Sequence, residues 1–355
     1  MDNKDIYRLS ADQLIEIEDN RKIVPCTLSS DLEMYGGFPM GSTAVIAGKP
    51  GLGKTSVSLW LAANAQNKYG AKVFFFPVEG RLTKMVMAHA RHLKKDIDNF
   101  EIIMPPPIKN KGGNIVGYKR WTAEEWWDVI GQTIIDNSNC VIIVDSLASL
   151  SSEKESSEAM GYQSRGLEKK LEAQFCRKYC TLVRPKEILL ILLTQVQANT
   201  SGYGMPIQAK VGNQIYHHAD IFMFGKSMKK WTADSNNKIL GHDMVYVVEK
   251  YGPTRDISIP LRYGYGIDDI KDLIDVSINH GIIQKNGSWY NMPFTGEEDE
   301  KPEVNIKLFE KEQNIKFQGE TKARNWLLIR PDYAKCIRDK INSIYNSELE
   351  LDEDD

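Results

Sequence analysis

Apolar residues fall along the chain in two patterns. Short unbroken runs have the length of strands: Ala44 to Ala47, Val73 to Phe76, Ile102 to Met104, Val141 to Val144, Ile188 to Leu193 and Ile221 to Phe224. Stretches of helical spacing lie between them, at Thr55 to Asn67, Lys84 to Leu93, Ala123 to Asn137 and Glu158 to Leu182. Continuous apolar strands separated by helices predict an α/β fold with a mostly parallel central sheet covered on both faces. The runs Met244 to Val248 and Ile257 to Leu261 lie close together and predict an antiparallel edge. Beyond Gly266 the period becomes helical, through Ile267, Ile270, Leu273, Ile274 and Ile278, then gives a small strand around Trp289 and two helix candidates after Gly319. That reads as a small C-terminal α/β domain.

The expected organisation is an N-terminal arm over 1–30 with one short helix at Ala11 to Ile17, a core over 31–265, the small domain over 266–346, and a tail over 347–355. The tail holds six acidic side chains and no basic one, so it is expected to be disordered. Of 355 residues, 42% are hydrophobic, enough for a sizeable core, and 45 basic against 48 acidic residues give a net charge of -3. Any nucleic-acid contact must therefore be local. No apolar run approaches the roughly 18 to 20 residues a membrane helix needs, and the polar, acidic start MDNKDIYRLS does not resemble a secretory signal, so cytoplasmic residence is expected. Cys176 and Cys180 lie one helical turn apart without a second pair, and read as inert thiols. The adjacent His217 and His218 read as structural.

The chemistry begins at Gly48-Lys49-Pro50-Gly51-Leu52-Gly53-Lys54-Thr55, which satisfies G-x-x-x-x-G-K-[ST] between a strand and a helix that continues through Ser56. Glycines there let successive N–H groups and the helix N-terminus turn toward phosphate oxygens. Lys54 is expected to reach the β and γ phosphates of ATP, and Thr55 to ligate Mg²⁺. Val141-Ile142-Ile143-Val144-Asp145 puts Asp145 at the C-terminal end of a buried strand, a second position for the metal or its water. Glu79 ends the run before it and is expected to activate water, with helix capping as the competing role. Gln195 ends the strand Ile188 to Thr194, where a neutral amide can sense the γ-phosphate.

These residues together resemble a family. The run VIIVDSLASL, the strand ending LLTQ, the placement of the phosphate loop and the stretch GIDDIKDLIDVSINHGIIQKNGSWY are similar to RecA-type recombinases, the phage UvsX branch in particular. The resemblance covers about Leu28 to Asn346, and the stretch KNGSWY with Gly319 to Trp326 resembles the family's C-terminal domain. It implies a RecA-type ATPase core whose segments 152–165 and 196–213 are DNA-binding loops, with Arg165, Lys170, Arg177, Tyr203 and Lys210 as contacts. On the residues alone, the second loop is long, polar and glycine-bearing, with Tyr203 and Met205 able to wedge between bases. Lys170, Gln174 and Arg177 share one helix face, opposite Leu167, Leu171 and Phe175, which a solvated charged face would also explain. The family hydrolyses ATP between subunits with a cation from the neighbour, and the equivalent segment offers Lys250 and Arg255 without the bacterial paired-lysine spacing.

The function expected is an ATP- and Mg²⁺-dependent recombinase that forms filaments on single-stranded DNA and exchanges it into homologous double-stranded DNA. Expected partners include further copies of itself, a single-strand binding protein and a loader; the setting is a phage-infected bacterial cell. A DnaB-type ring helicase shares the phosphate loop, and an ATP-binding mediator without strand exchange is the other alternative.

Overall fold

A computed structural model describes residues 9–80, 82–153, 166–199, 207–232, 238–296, 301–311 and 313–353. Nine strands build one sheet: β1 Ser42–Ala47, β2 Lys72–Phe76, β3 Phe100–Ile102, β4 Cys140–Asp145, β5 Ile188–Thr194, β6 Ile221–Thr232, β7 Ile239–Glu249, β8 Arg255–Arg262 and β9 Gly266–Ile267. Their order is β9-β8-β7-β6-β1-β5-β4-β2-β3. Pairing is parallel from β6 to β3 and antiparallel from β6 to β9, the mixed sheet expected from the sequence.

The strands are continuously apolar because both faces are covered. Along β4, Val141 and Ile143 join a core with the Lys54–Tyr69 helix, while Ile142 and Val144 join a second core with the helices Ala123–Asp136 and Leu167–Phe175. The Lys54–Tyr69 helix stops at Gly70, which takes a left-handed φ of 63° and donates to Ala65 and Gln66 carbonyls. Thr122 and Glu125 form a capping box that starts the Ala123–Asp136 helix.

A third core surrounds a three-stranded antiparallel sheet, Gln284–Asn286, Trp289–Thr295 and Asn314–Gln318, packed by helices Asp269–Asn279, Glu320–Leu328 and Pro331–Glu353. Leu28 belongs to this core, so the arm does not end where the sequence implied. Val24, Cys26 and Leu28 are buried, and a second short helix, Leu28–Glu33, packs between the two domains.

Several other expectations change. The helix expected over Lys84 to Leu93 closes at His89, since Ala90 and Leu93 turn inward and are buried. The described part of the Glu158 to Leu182 helix runs Leu167–Phe175 and then widens to a π-turn over Cys176–Cys180. The stretch after β3, to which the apolar pattern assigns no element, folds as a hairpin, Pro107–Lys109 against Ile115–Tyr118. Its turn is closed by Asn110, whose side-chain oxygen accepts from Gly112 and Asn114 N–H at 3.0 Å each. The sequence shows only the first third of β6 because Lys226 to Thr232 leave the core and form a largely exposed ribbon with β7. The backbone of residues 347–353 continues the last helix instead of forming a disordered tail; Glu and Leu are strong helix formers, and the helix is anchored upstream by buried Ile337 and Ile341.

Candidate active site

Four adjacent strands end on one edge of the sheet. In register, Ala47 pairs Thr194, Leu193 pairs Asp145, and Val144 pairs Phe76, so the segments after β1, β5, β4 and β2 converge. Glu79 is brought in by its own N–H, which donates to the Asp145 carbonyl at 3.0 Å.

The phosphate loop leaves β1 at Gly48 and enters the helix at Lys54. Gly51 and Gly53 have φ of 78° and 99°, which L side chains rarely adopt. A Cβ on Gly53 would also meet Met244 Sδ at 2.4 Å, and one on Gly48 would meet Leu52 Cδ2 at 2.4 Å. Lys49, Pro50 and Gly51 are exposed at the mouth, Leu52 is buried beneath, and Ser56 is half-buried as the third residue of the helix.

Lys54 Nζ donates to the carbonyls of Gly48 at 2.9 Å and Lys49 at 3.2 Å, inside the curl of the loop. Burial pulls this ammonium below the ordinary lysine range, and the negative charges of Asp145 and Glu79 push it back up. Thr55 Oγ1 donates to Asp145 Oδ2 at 2.7 Å. Burial raises the Asp145 carboxyl, the Thr55 bond lowers it, Glu79 raises it and Lys54 lowers it.

Two described side chains hold the Glu79 carboxylate. Ser146 Oγ donates to its Oε1 at 2.5 Å, and Gln195 Nε2 donates to the same oxygen at 3.1 Å. Two residues expected to act separately thus touch. Ser146 was missed by the sequence reading, although its place directly after Asp145 on the converging edge was visible there.

The residues expected to contact DNA are described only in part. Lys170, Gln174 and Arg177 are exposed on one face, above half-buried Leu167 and Leu171 and buried Phe175. Lys210 is exposed, with Nζ donating to the Ala148 carbonyl at 3.1 Å. Arg165, Tyr203 and Met205 lie outside the described residues. The stem of the second loop is a ribbon continuing from β5, with Val196 opposite Ala209 and Ala198 opposite Ile207.

Lys250 and Arg255 lie elsewhere. Phe222, at the start of β6, pairs Glu249, whereas Phe224 pairs Ala47 just before the phosphate loop. Lys250 follows the end of β7 on the side away from the phosphate loop, and Arg255 begins β8, level with Ile46 through Val248 and Met223 but three strands from β1; both lie outside their own chain's site. Lys250 is exposed and donates to the Tyr216 carbonyl and, at 3.1 Å, to that of His217. Arg255 is held within the chain by the Glu33 carbonyl, the Pro253 carbonyl at 2.9 Å and the Tyr35 ring.

Among the described residues no helix is long and apolar enough to cross a membrane. Two curated proteins called Protein RecA are similar to this chain. That of Desulforapulum autotrophicum is 28% identical over 279 residues, 77% of this chain and 74% of the relative. That of Nitratiruptor sp. is 26% identical over 332 residues, 92% and 85% of the two chains. The RecA N-terminal domain family matches residues 4–268, which span the whole nine-stranded sheet and every residue of the phosphate site, so the chain belongs to that family.

Proposed function

We propose that this protein is an ATP-dependent recombinase of the phage UvsX-like branch, which coats single-stranded DNA as a helical filament and exchanges it into homologous duplex. The observation that carries this reading is the bond between Gln195 and Glu79, because the strand ending at Gln195 runs directly into the second loop. A change at the γ-phosphate that moves the Gln195 amide therefore acts on the DNA-facing stem one residue away.

The residues present fit ATP with Mg²⁺. A hydroxyl and a carboxylate, Thr55 and Asp145, offer the few oxygen donors that Mg²⁺ takes from protein beside phosphates and water. When bound, the metal offsets charge on the β and γ phosphates. Lys54 exchanges its two carbonyl partners for phosphate oxygens, a stronger charge-assisted pairing. Glu79 accepts a proton from the attacking water, while Ser146 and Gln195 hold its carboxylate in one orientation.

Assembly is supported by polarity. Lys250 sits on the edge opposite the phosphate loop and is the more exposed of the two cations, which favours it over the half-buried Arg255 as the cation given to a neighbour's ATP. Two exposed apolar surfaces among the described residues have the same polarity. The helix Ala11–Asp19 buries no residue and exposes Leu14, Ile15 and Ile17 among Asp12, Glu16, Glu18 and Asp19. It is tied by Glu18 to Arg184, and its neighbour Arg21 to the Met40 and Gly41 carbonyls, all at the N-terminal edge of β1 and β5. The hairpin Pro107–Tyr118 leaves the C-terminal edge, exposing Ile108, Ile115, Val116 and Tyr118 among Lys109, Lys111, Lys119 and Arg120. Acidic-apolar and basic-apolar faces on opposite edges complement each other between successive copies, and such head-to-tail contacts build open helices unless the rotation closes.

Electron microscopy on single-stranded DNA with a slowly hydrolysed ATP analogue tests the reading. A continuous helical coat is expected; closed rings would replace it with a DnaB-type helicase.

A further inference from the structure

The second loop is anchored where it returns to the core. Lys210 N–H donates to the Gln195 carbonyl at 2.8 Å, and Thr194 Oγ1 donates to the Lys210 carbonyl at 2.8 Å. Lys210 Nζ reaches the turn after Asp145, through Ala148. The next bond goes to a different element: Gly212 N–H donates at 2.5 Å to Oε2 of Glu172, on the Leu167–Phe175 helix. That is the helix whose exposed face carries Lys170 and continues toward Arg177. Glu172 itself is 7% exposed. Gly212 permits the approach, since a Cβ there would stand 2.4 Å from the same oxygen.

A buried carboxylate is costly to keep in a helix-packing position unless it is hydrogen-bonded, and this one is directed at a single backbone N–H across two elements. We propose that Glu172 is a positioning residue for DNA binding, clasping the exit of the second loop to the helix that follows the first, so that the two segments answer the γ-phosphate as one body. This rests on the recombinase reading and deepens it. The connected path runs from Glu79 through the Gln195 side chain, the Gln195 carbonyl and Lys210 to Gly212 and Glu172.

The clasp is proton-sensitive. Burial pushes the Glu172 carboxyl up to about 7, against the Gly212 bond, with Glu168 raising it further and Lys169 and Lys210 lowering it. The short helix Asn213–His218 packs on the same side and carries His217 and His218 in its last turn, the end away from Gly212. Helix Ala123–Asp136 packs elsewhere on the clasp helix, where Glu124 and Asp128 line a small cavity with Gln174 and Lys178. An ionised carboxylate accepts a bond about twice as strong as a neutral acid does, so the clasp tightens as pH rises through about 7.

The test measures single-stranded DNA affinity by fluorescence anisotropy with a slowly hydrolysed ATP analogue, and ATP turnover with and without DNA, from pH 6 to 8.5. Glu172→Ala should weaken DNA affinity about tenfold and lower DNA-stimulated turnover, leaving DNA-free turnover unchanged. Gly212→Ala should do the same. Glu172→Gln keeps an acceptor, so it should recover most of the affinity while losing the parent's rise in affinity through neutral pH. Parental affinity in Glu172→Ala, or a parental pH profile in Glu172→Gln, overturns the clasp; the second result decides even if the alanine variant fails to fold. A parent whose turnover ignores DNA removes the recombinase reading itself, a result distinguishable from a stimulated parent with an equally stimulated Glu172→Ala.

Discussion

Within the site each side chain has a separable task. Lys54→Ala should abolish nucleotide-dependent DNA affinity, because no other described cation sits inside the curl of the loop. Glu79→Gln should bind ATP normally and slow turnover about a hundredfold or more, leaving a long-lived DNA complex; parental turnover would remove Glu79 as the base. Ser146→Ala removes one of the described partners that hold the carboxylate, so kcat should fall with little change in KM, and an unchanged kcat would mean that the carboxylate is held without the Ser146 hydroxyl. Gln195→Ala should leave residual hydrolysis that DNA no longer stimulates. The phosphate loop was legible because its chemistry is local, eight consecutive residues with fixed spacing. The bonds from Ser146 and Gln195 to Glu79 span 67 and 116 residues and depend on which strands become neighbours, which no local pattern states.

Elements were legible in proportion to how much of their pattern the core imposes. β4 and β5 are buried on both faces and read clearly as apolar runs, whereas half of β6 and the hairpin Pro107–Tyr118 face solvent and carry no such signal. The hairpin's exposure makes it testable. Ile115 and Val116 are 55% and 62% exposed, so replacing both with Thr should leave the melting temperature almost unchanged while shortening filaments in sedimentation and microscopy. Charge reversal sharpens the test: Lys119→Glu should impair assembly, and adding Glu16→Lys in the same chain should restore part of it. Variants that assemble like the parent would show that the basic hairpin and the acidic helix meet nothing in the filament.

At the scale of the whole molecule the two domains are joined through the arm, a contact invisible in sequence because it connects residues 243 positions apart. Ser29 donates from its N–H to Asp272 Oδ2 at 2.9 Å and from its hydroxyl to Oδ1 at 2.5 Å, and lies 3.0 Å from the Ser258 carbonyl through the same hydroxyl. Asp272 is 4% exposed. Burial raises its carboxyl to about 6; the two Ser29 bonds and Arg338 of the last helix lower it, and Asp275 raises it again. Asp31, on the packing helix, is raised in the same direction, to about 8, chiefly by burial. A carboxyl raised in the folded state contributes stability that is complete below its unfolded pKa of about 4 and is lost as pH climbs through the folded value. The junction should therefore weaken from about pH 4 upward through both carboxyls at once, the loss through Asp272 levelling off near pH 6 and that through Asp31 continuing to about pH 8. Asp272→Asn removes the first titration yet can keep the contacts, its oxygen accepting from the Ser29 N–H and its amide donating to the Ser29 hydroxyl, which turns its own proton to Ser258. Its stability relative to the parent should rise between pH 4 and 7.5 by about 2 to 3 kcal/mol, read from denaturant unfolding at each pH. A difference between the two proteins that stays constant across that range would mean that Asp272 is ionised in the folded protein throughout, and that the joint between arm, core and C-terminal domain is held by a charge rather than by a neutral acid.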